Sequence, residues 1–145
     1  MSYVHATKRK REPMGLREPA WWRSRRHLRH VASHDCAIKG INGHQCVGRV
    51  VAAHDREETD GCAGEKPSDF HTFPLCDDLH GQGAHPEQHR LGEGGFQKLY
   101  GIVIKDWTAQ MIRTSPCRRE IEEWQRSHTQ RGRMTPLPHK DDSPE

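Results

Sequence analysis

Apolar positions along this chain occur in short runs, and the runs predict small elements. Residues 50–53, Val-Val-Ala-Ala, predict a strand that carries His54 at its end. Residues 72–75, Thr-Phe-Pro-Leu, predict a second strand after a charged, glycine-containing loop. A helix is expected after Cys76. The centre of the chain is therefore predicted to run strand, loop, strand, helix.

Helical spacing of apolar residues predicts helices on both sides of this centre. Residues 20–32 lack Gly and Pro, and their arginines lie between apolar positions, which predicts a basic amphipathic helix. Its Trp21 and Trp22 have two interpretations, packing on the body or stacking on bases, and packing is favoured. The further helices are expected at a stretch capped by Gly101, at 105–113 and at 118–127.

Polar segments with prolines flank these elements. Residues 1–19 predict a basic flexible arm, and residues 128–145 predict a disordered tail. The remaining residues, 20–127, are expected to form one domain, which suits a chain of 145 residues.

Composition limits the size of the hydrophobic core. Only 32% of the residues are apolar and the mean hydropathy is -1.02, and domains this poor in core are often stabilised by a metal. No apolar run approaches a membrane span and no leader pattern occurs, so a cytoplasmic location without a membrane partner is expected. In a reducing cytoplasm, five cysteines are better explained by metal binding than by disulfides.

Charge is divided unevenly along the chain. The net charge is +3, but the first 30 residues carry nine Lys or Arg and two Glu, which gives +7 there and -4 over the rest. A positive arm on a mildly acidic body favours nucleic-acid binding, because Lys and Arg displace counterions from phosphates; a solvated terminus is the alternative. The candidate phosphate contacts are Lys8, Arg9, Lys10, Arg11, Arg23, Arg25, Arg26 and Arg29.

Metal-capable side chains are concentrated in one polar stretch. Nine of the chain's 12 histidines lie between His27 and His89, and several cysteines accompany them. Such a concentration predicts a zinc site, a catalytic metal site or both. His85 lies four residues before His89, so both imidazoles fall on one face of a helix. His30 and His34 continue a helical spacing from His27, which is typical of a metal-binding face or, more often, of a solvated surface or phosphate contacts.

Four motifs follow one another within roughly residues 27–116. They are Ala53-His54, Gly64-Glu65-Lys66-Pro67-Ser68-Asp69, Pro74-Leu75-Cys76 and His85-Pro86-Glu87-Gln88-His89-Arg90-Leu91-Gly92-Glu93. In order and spacing they resemble the small, often phage- or prophage-encoded HNH endonucleases. The resemblance implies an α+β fold with a ββα-metal (HNH) core, a structural zinc knuckle and flanking helices. It also implies a metal-dependent DNA endonuclease that hydrolyses phosphodiester bonds in a bacterial or phage-infected cell.

The same resemblance implies roles for three histidines. His54, at the end of the first strand, would be the general base that activates water. His85 and His89 would hold the catalytic cation, Mg²⁺ or Mn²⁺ with Zn²⁺ as an alternative, which stabilises charge on the phosphate and the leaving oxygen. His80 is the rival ligand for one of these two positions.

Two catalytic positions depart from the family pattern. Ala53 stands where many members carry a further cation ligand, and strand alternation is expected to point the side chain of Asp55 away from the base. The Asn that orients the base in the family corresponds to His71, which makes His71 a candidate catalytic residue, and Asp69 is a second candidate for this role.

The zinc knuckle also departs from the pattern, because Leu79 stands where a fourth cysteine is expected. A closed zinc site needs four ligands. The expected set is Cys36, Cys46, Cys76 and His80, the last at C-x3-H spacing.

Two questions stay open from the sequence. Lys66 and Asp69 either contact DNA or shape their loop. The alternative function is a non-catalytic zinc-binding module that binds nucleic acid, with an active site lost at Ala53 and His71. A third hypothesis is an interaction protein whose histidines only buffer metal. The positive charge of the arm disfavours this hypothesis.

Overall fold

The computed structural model describes residues 21–58 and 66–132, with side chains described as far as residue 128. This part of the chain is α+β, as expected, with four helices and a two-stranded antiparallel sheet. The elements are α1 (Arg25–Ala32), a short 3₁₀ turn (Ile41–Gly43), β1 (Arg49–His54), β2 (Thr72–Asp77), α2 (Ala84–Tyr100), α3 (Ile104–Thr114) and α4 (Arg118–Gly132). The predicted basic arm at 1–19 and the tail beyond 132 lie outside the described residues.

The sheet places the predicted strands side by side. β1 and β2 pair so that Val50 lies opposite Cys76 and His54 lies opposite Thr72. A proline inside a strand is tolerated here because both strands of a two-stranded sheet are edges. The carbonyl of Pro74 in β2 accepts a hydrogen bond from the backbone N–H of Ala37 (2.8 Å), which fastens the cysteine-containing loop to the sheet.

Two hydrophobic clusters hold these elements together. The larger one joins Ile38 of the cysteine loop, Phe73 of β2 and Phe96 of α2, all fully buried. The smaller one is built on Phe70, Cys117 and Ile121, and Trp22 packs against it. The packing interpretation is therefore confirmed for Trp22.

Helix α1 begins later than the sequence predicted, at Arg25 rather than at residue 20. Ser24 caps it, with its hydroxyl accepting a backbone N–H of the first turn. Before the cap, the backbone of Trp22 donates to the Ser68 hydroxyl (2.9 Å) and accepts from the N–H of Asp69 (2.9 Å). These tertiary bonds hold residues 21–23 against the loop and leave no helix there.

Helix α2 begins eight residues after Cys76 and bends at Gly92, whose φ of 71° and ψ of 168° are non-helical. It ends at Tyr100, and Gly101, with φ 65°, caps it as predicted. Helix α4 continues to Gly132, beyond residue 128, at which the predicted tail begins. None of the helices in the described ranges combines the length and the apolar character needed to cross a membrane.

Candidate metal centre and histidine cleft

Four side chains from the cysteine loop and β2 converge on one point. The ligand atoms of Cys36, His44, Cys46 and Cys76 all lie within 4.8 Å of one another, and His44 Nε2 is 3.2 Å from Cys76 Sγ. With Zn–S bonds of about 2.3 Å and Zn–N bonds of about 2.0 Å, tetrahedral ligand atoms are roughly 3.3–3.8 Å apart. The donor set is therefore close enough to hold one metal ion, and its chemistry fits zinc.

The fourth member of this cluster is His44, not His80 as the sequence predicted. The carboxylate of Asp78 accepts the backbone N–H groups of His80 (2.9 Å) and Gln82 (2.7 Å) and so closes a turn after β2. This turn is exposed, with Leu79 at 90% exposure, and it carries His80 away from the cysteines. The spacing His44-x-Cys46 was the sequence signal that the prediction missed.

The cysteines of the cluster are electrostatically unfavourable as bare thiolates. Burial raises the pKa of Cys36 to about 12, and the neighbouring Cys76 and Cys46 sulfurs add to the rise. Burial also raises the pKa of Cys46. The first N–H of α2, at Ala84, donates to Cys76 Sγ (3.3 Å). A bound cation would supply the remaining stabilisation.

His54, at the end of β1, is hydrogen-bonded to a buried carboxylate. Its Nε2 lies 3.1 Å from Asp69 Oδ1, and the other oxygen of Asp69 accepts the backbone N–H of Ser24 (2.8 Å). Burial alone would raise the pKa of Asp69, but the hydrogen bonds from His54 and Ser24 and the charge of Arg23 bring it below its usual value. Asp69 is therefore ionised and accepts, so His54 carries its proton on Nε2 and leaves Nδ1 as the basic nitrogen.

The bond to His54 is thus made by Asp69, the second of the two candidates, rather than by His71. The ring of His71 packs on Phe70, with ring centroids 4.4 Å apart, and its carbonyl accepts the N–H of Asp55 (2.8 Å). Asp55 itself is 2% exposed and its carboxylate accepts the backbone N–H of Glu57 (3.1 Å). Its carboxylate thus closes the turn that follows β1.

His85 and His89 meet on one face of α2, as their spacing predicted. Their Nε2 atoms are 3.1 Å apart. Two ligands that bind one cation at right angles with bonds of about 2.1 Å lie about 3 Å apart, so the pair fits one shared ion. His85 Nδ1 lies 3.3 Å from Asp77 Oδ2, and His89 Nδ1 lies 3.0 Å from Arg56 Nη1. Partial burial, the neighbouring imidazole of His85 and the positive charge of Arg56 lower the pKa of His89.

One cleft of about 1000 Å³ brings these groups together. His54, His85 and His89 line it, and Arg56 and Lys66 add positive charge to its walls. His80 is not among its lining residues, so His80 belongs neither to the cleft nor to the cysteine cluster. The lining of the cleft carries three cationic side chains, Arg56, Lys66 and Arg90, and two acidic ones, Glu57 and Glu93.

Two buried polar side chains, Gln88 and Glu93, support the cleft, and the sequence predicted no role for them although both lie in the histidine motif. Gln88 Nε2 donates to the carbonyl of His54 (2.9 Å) and to Glu93 Oε2 (2.8 Å). Burial raises the pKa of Glu93. This link ties the end of β1 to α2 and so places His54 beside the two helix histidines.

The histidines of α1 are structural. His27 is fully buried, its Nδ1 lies 2.8 Å from Ser115 Oγ, and burial lowers its pKa to about 4, with His30 adding to the shift. His30 Nε2 lies 2.9 Å from Thr114 Oγ1. His27 and His30 therefore connect α1 to the end of α3, whereas His34 Nδ1 bonds to the carbonyl of His30 (2.8 Å).

The predicted phosphate contacts divide into three groups. Arg25, Arg26 and Arg29 are exposed on α1. Arg23 instead donates to the carbonyls of Lys66 (2.8 Å) and Pro67 and lies 3.4 Å from Asp69, so it shapes the loop. The predicted phosphate contacts of the N-terminal arm lie outside the described residues; they are Lys8, Arg9, Lys10 and Arg11.

Two distinct groups of metal-capable side chains thus occur in the described part of the chain, a Cys₃His cluster and a histidine pair beside a carboxylate-bound imidazole. No protein-family model, no curated protein and no solved structure matches this chain.

Proposed function

We propose that this protein is a metal-dependent DNA endonuclease of the HNH type, in which β1, β2 and α2 form the ββα core. One observation carries the proposal: His54, bound through Nε2 to a buried carboxylate, shares a cleft with the paired imidazoles of His85 and His89. A positioned base and a cation site in one basic cleft are the two requirements for hydrolysing a phosphodiester.

His54 acts as the general base. Its Nδ1 takes a proton from a water molecule, the resulting hydroxide attacks phosphorus, and the bond to the leaving oxygen breaks. Asp69 holds the imidazole in the required tautomer and stabilises the imidazolium that forms, as carboxylates do in related His–Asp pairs. Asp69 therefore performs the orienting role that the family assigns to an Asn.

His85 and His89 would hold the catalytic cation, Mg²⁺ or Mn²⁺. When bound, such a cation supplies electrostatic stabilisation of the phosphate and of the departing oxygen. Asp77 orients His85 through its Nδ1. Lys66 and the exposed arginines of α1 contact the DNA backbone, which gives binding without sequence discrimination.

The Cys₃His cluster is proposed as a structural zinc site. Its ligands tie the cysteine loop to β2, the strand that continues into Asp77. Zinc binding to such a site contributes up to about 10 kcal/mol of apparent free energy, which is large beside so small a core.

The test is plasmid nicking by protein that retains structural zinc and is supplied with Mg²⁺ or Mn²⁺. His54→Ala is expected to lower cleavage by about 10²-fold or more, the usual contribution of a general base. His80→Ala is the matched control, because His80 is exposed and outside both sites, and it should cleave like the wild type. Equal cleavage by wild type and His54→Ala would contradict the assignment of the base.

A second candidate function is a non-catalytic zinc module that binds nucleic acid. It is favoured by Ala53, which is fully buried and leaves the cation without the ligand found there in many HNH enzymes. This candidate predicts zinc binding and DNA binding with no nicking in any divalent cation, and the same assay distinguishes it.

A further inference from the structure

A continuous chain of hydrogen bonds crosses the cleft. It runs from Arg56 Nη1 to His89 Nδ1 (3.0 Å), from His89 Nε2 to His85 Nε2 (3.1 Å), and from His85 Nδ1 to Asp77 Oδ2 (3.3 Å). Its two ends have fixed polarity, because a guanidinium only donates and a carboxylate only accepts. The polarity of the ends determines where the two imidazoles carry their protons.

In this arrangement every nitrogen of the chain has a complementary partner. His89 accepts from Arg56 at Nδ1, so its single proton is on Nε2 and is donated to His85. His85 accepts at Nε2, so its proton is on Nδ1 and is donated to Asp77. Both rings are neutral, and no proton is missing or left over.

A cation shared by the two Nε2 atoms changes the position of only one proton. His85 already presents a lone pair at Nε2 and needs no rearrangement. His89 must carry its proton on Nδ1 instead, and Nδ1 then faces the N–H groups of Arg56. Two donors at 3.0 Å cannot form a hydrogen bond, so the contact between Arg56 and His89 is lost.

We infer that Arg56 is a cation-dependent phosphate ligand: loading of the histidine pair releases its guanidinium from His89, and the released guanidinium binds the phosphodiester in the cleft. This inference rests on the proposed cation site. Arg56 has an exposed side chain that already lines the cleft, and a guanidinium matches phosphate oxygens in two parallel hydrogen bonds. Cation and DNA therefore bind cooperatively, and each raises the affinity for the other by the same factor.

The first experiment records ¹⁵N spectra of the histidine rings in zinc-loaded protein, before and after addition of Mg²⁺. His89 should change from the Nε2–H to the Nδ1–H tautomer, whereas His85 should keep its proton on Nδ1. His34, whose Nδ1 bonds to the carbonyl of His30 (2.8 Å) outside the cleft, is the internal reference and should stay unchanged. A His89 ring that keeps Nε2–H while His85 responds to Mg²⁺ would overturn the inference.

The second experiment measures binding of a 20-bp DNA duplex with and without Mg²⁺, with His54→Ala present throughout to prevent cleavage. Mg²⁺ should tighten binding about tenfold with Arg56 intact, within the usual range of coupling, and much less with Arg56→Met. Arg90→Met is the matched control, because Arg90 lines the same cleft but bonds to Glu87 (4.0 Å). It should lower affinity equally with and without Mg²⁺.

Two failures are distinguishable. If Arg56→Met keeps the full effect of Mg²⁺ while the wild type still nicks plasmid through His54, the inference about Arg56 is wrong and the proposed function stands. If Mg²⁺ changes neither His85 nor His89, the cation site is absent, and both the inference and the proposed mechanism are overturned.

Discussion

His44 reaches the metal cluster because its loop reverses direction between Cys36 and Cys46. Gly40 adopts φ 73° and the 3₁₀ turn follows it, so that the backbone N–H of His44 donates to the carbonyl of Ile41 (2.9 Å). The spacing of the residues in the sequence does not reveal this reversal of the loop, and the spacing of His80 from Cys76 suited a zinc ligand equally well. The three cysteines could be predicted as ligands from their positions in the sequence. The fourth ligand depends on which of two turns brings its histidine close to the cysteines.

The assignment of His44 predicts a specific difference in zinc content. His44→Gln should lose tight zinc binding and unfold at markedly lower temperature, because a closed tetrahedral site needs four ligands. His80→Gln changes the same residue type in the exposed turn and should retain one zinc per chain. Atomic emission measures the zinc content per chain of each variant, and thermal unfolding measures its stability. Zinc loss from His80→Gln with retention by His44→Gln would reverse the assignment.

At the scale of elements, the apolar pattern predicted the helices and strands whose ends are determined by neighbouring residues in the sequence. β1, β2 and α3 begin and end within two residues of their predicted bounds, because apolar runs and the stop at Pro116 determine them. The start of α1 depends instead on a long-range bond from the N–H of Trp22 to the Ser68 hydroxyl, which leaves no local sequence pattern. The start of α2 is delayed by the local turn at 78–82, in which Asp78 accepts two backbone N–H groups. The apolar pattern reflects neither interaction, so both starts were predicted too early.

Gly92 divides α2 into a half that carries the histidine pair and a half that packs Phe96 in the core. Its φ of 71° with ψ of 168° is a region that essentially only Gly occupies, although a Cβ would meet no atom within 4 Å. Gly92→Ala should therefore cost about 1–3 kcal/mol through backbone strain alone. Gly94→Ala, two residues later in helical and equally open backbone, should instead stabilise by up to about 1 kcal/mol.

Urea unfolding of the two alanine variants at one zinc concentration measures this difference. The comparison is matched, because each variant adds one methyl group to the same helix. If both variants stabilise the protein, α2 is continuous through Gly92. The helix would then lack the bend that separates the histidine pair from Phe96.

At the scale of the whole molecule, the two candidate sites are linked through β2. Cys76 belongs to the metal cluster, and the next residue, Asp77, bonds to His85 of the cleft. The sequence predicted both sites and the three cleft histidines from the motifs. It did not predict Arg56 and Asp77 as partners of the histidine pair, because these contacts exist only after β1, β2 and α2 have packed together.

Charge is the other property of the whole molecule, and it predicts how DNA binding depends on salt. The first 30 residues carry +7 against -4 for the rest, so phosphate contacts should come mainly from this end. Each lost phosphate contact lowers the slope of log K against log salt by about 0.9, and replacement of four arm cations by Gln should lower it by up to about 4. The four arm positions are Lys8, Arg9, Lys10 and Arg11.

The control for this prediction removes the same number of exposed cations elsewhere. The control positions are Lys98, Arg113, Arg119 and Arg126. Both variants have the same net charge, so a difference in slope between them measures where the phosphates lie rather than the total charge. Fluorescence anisotropy with one duplex at several salt concentrations gives both slopes. Equal slopes would mean that the arm only adds charge, and that DNA lies against the folded body without contacting the arm.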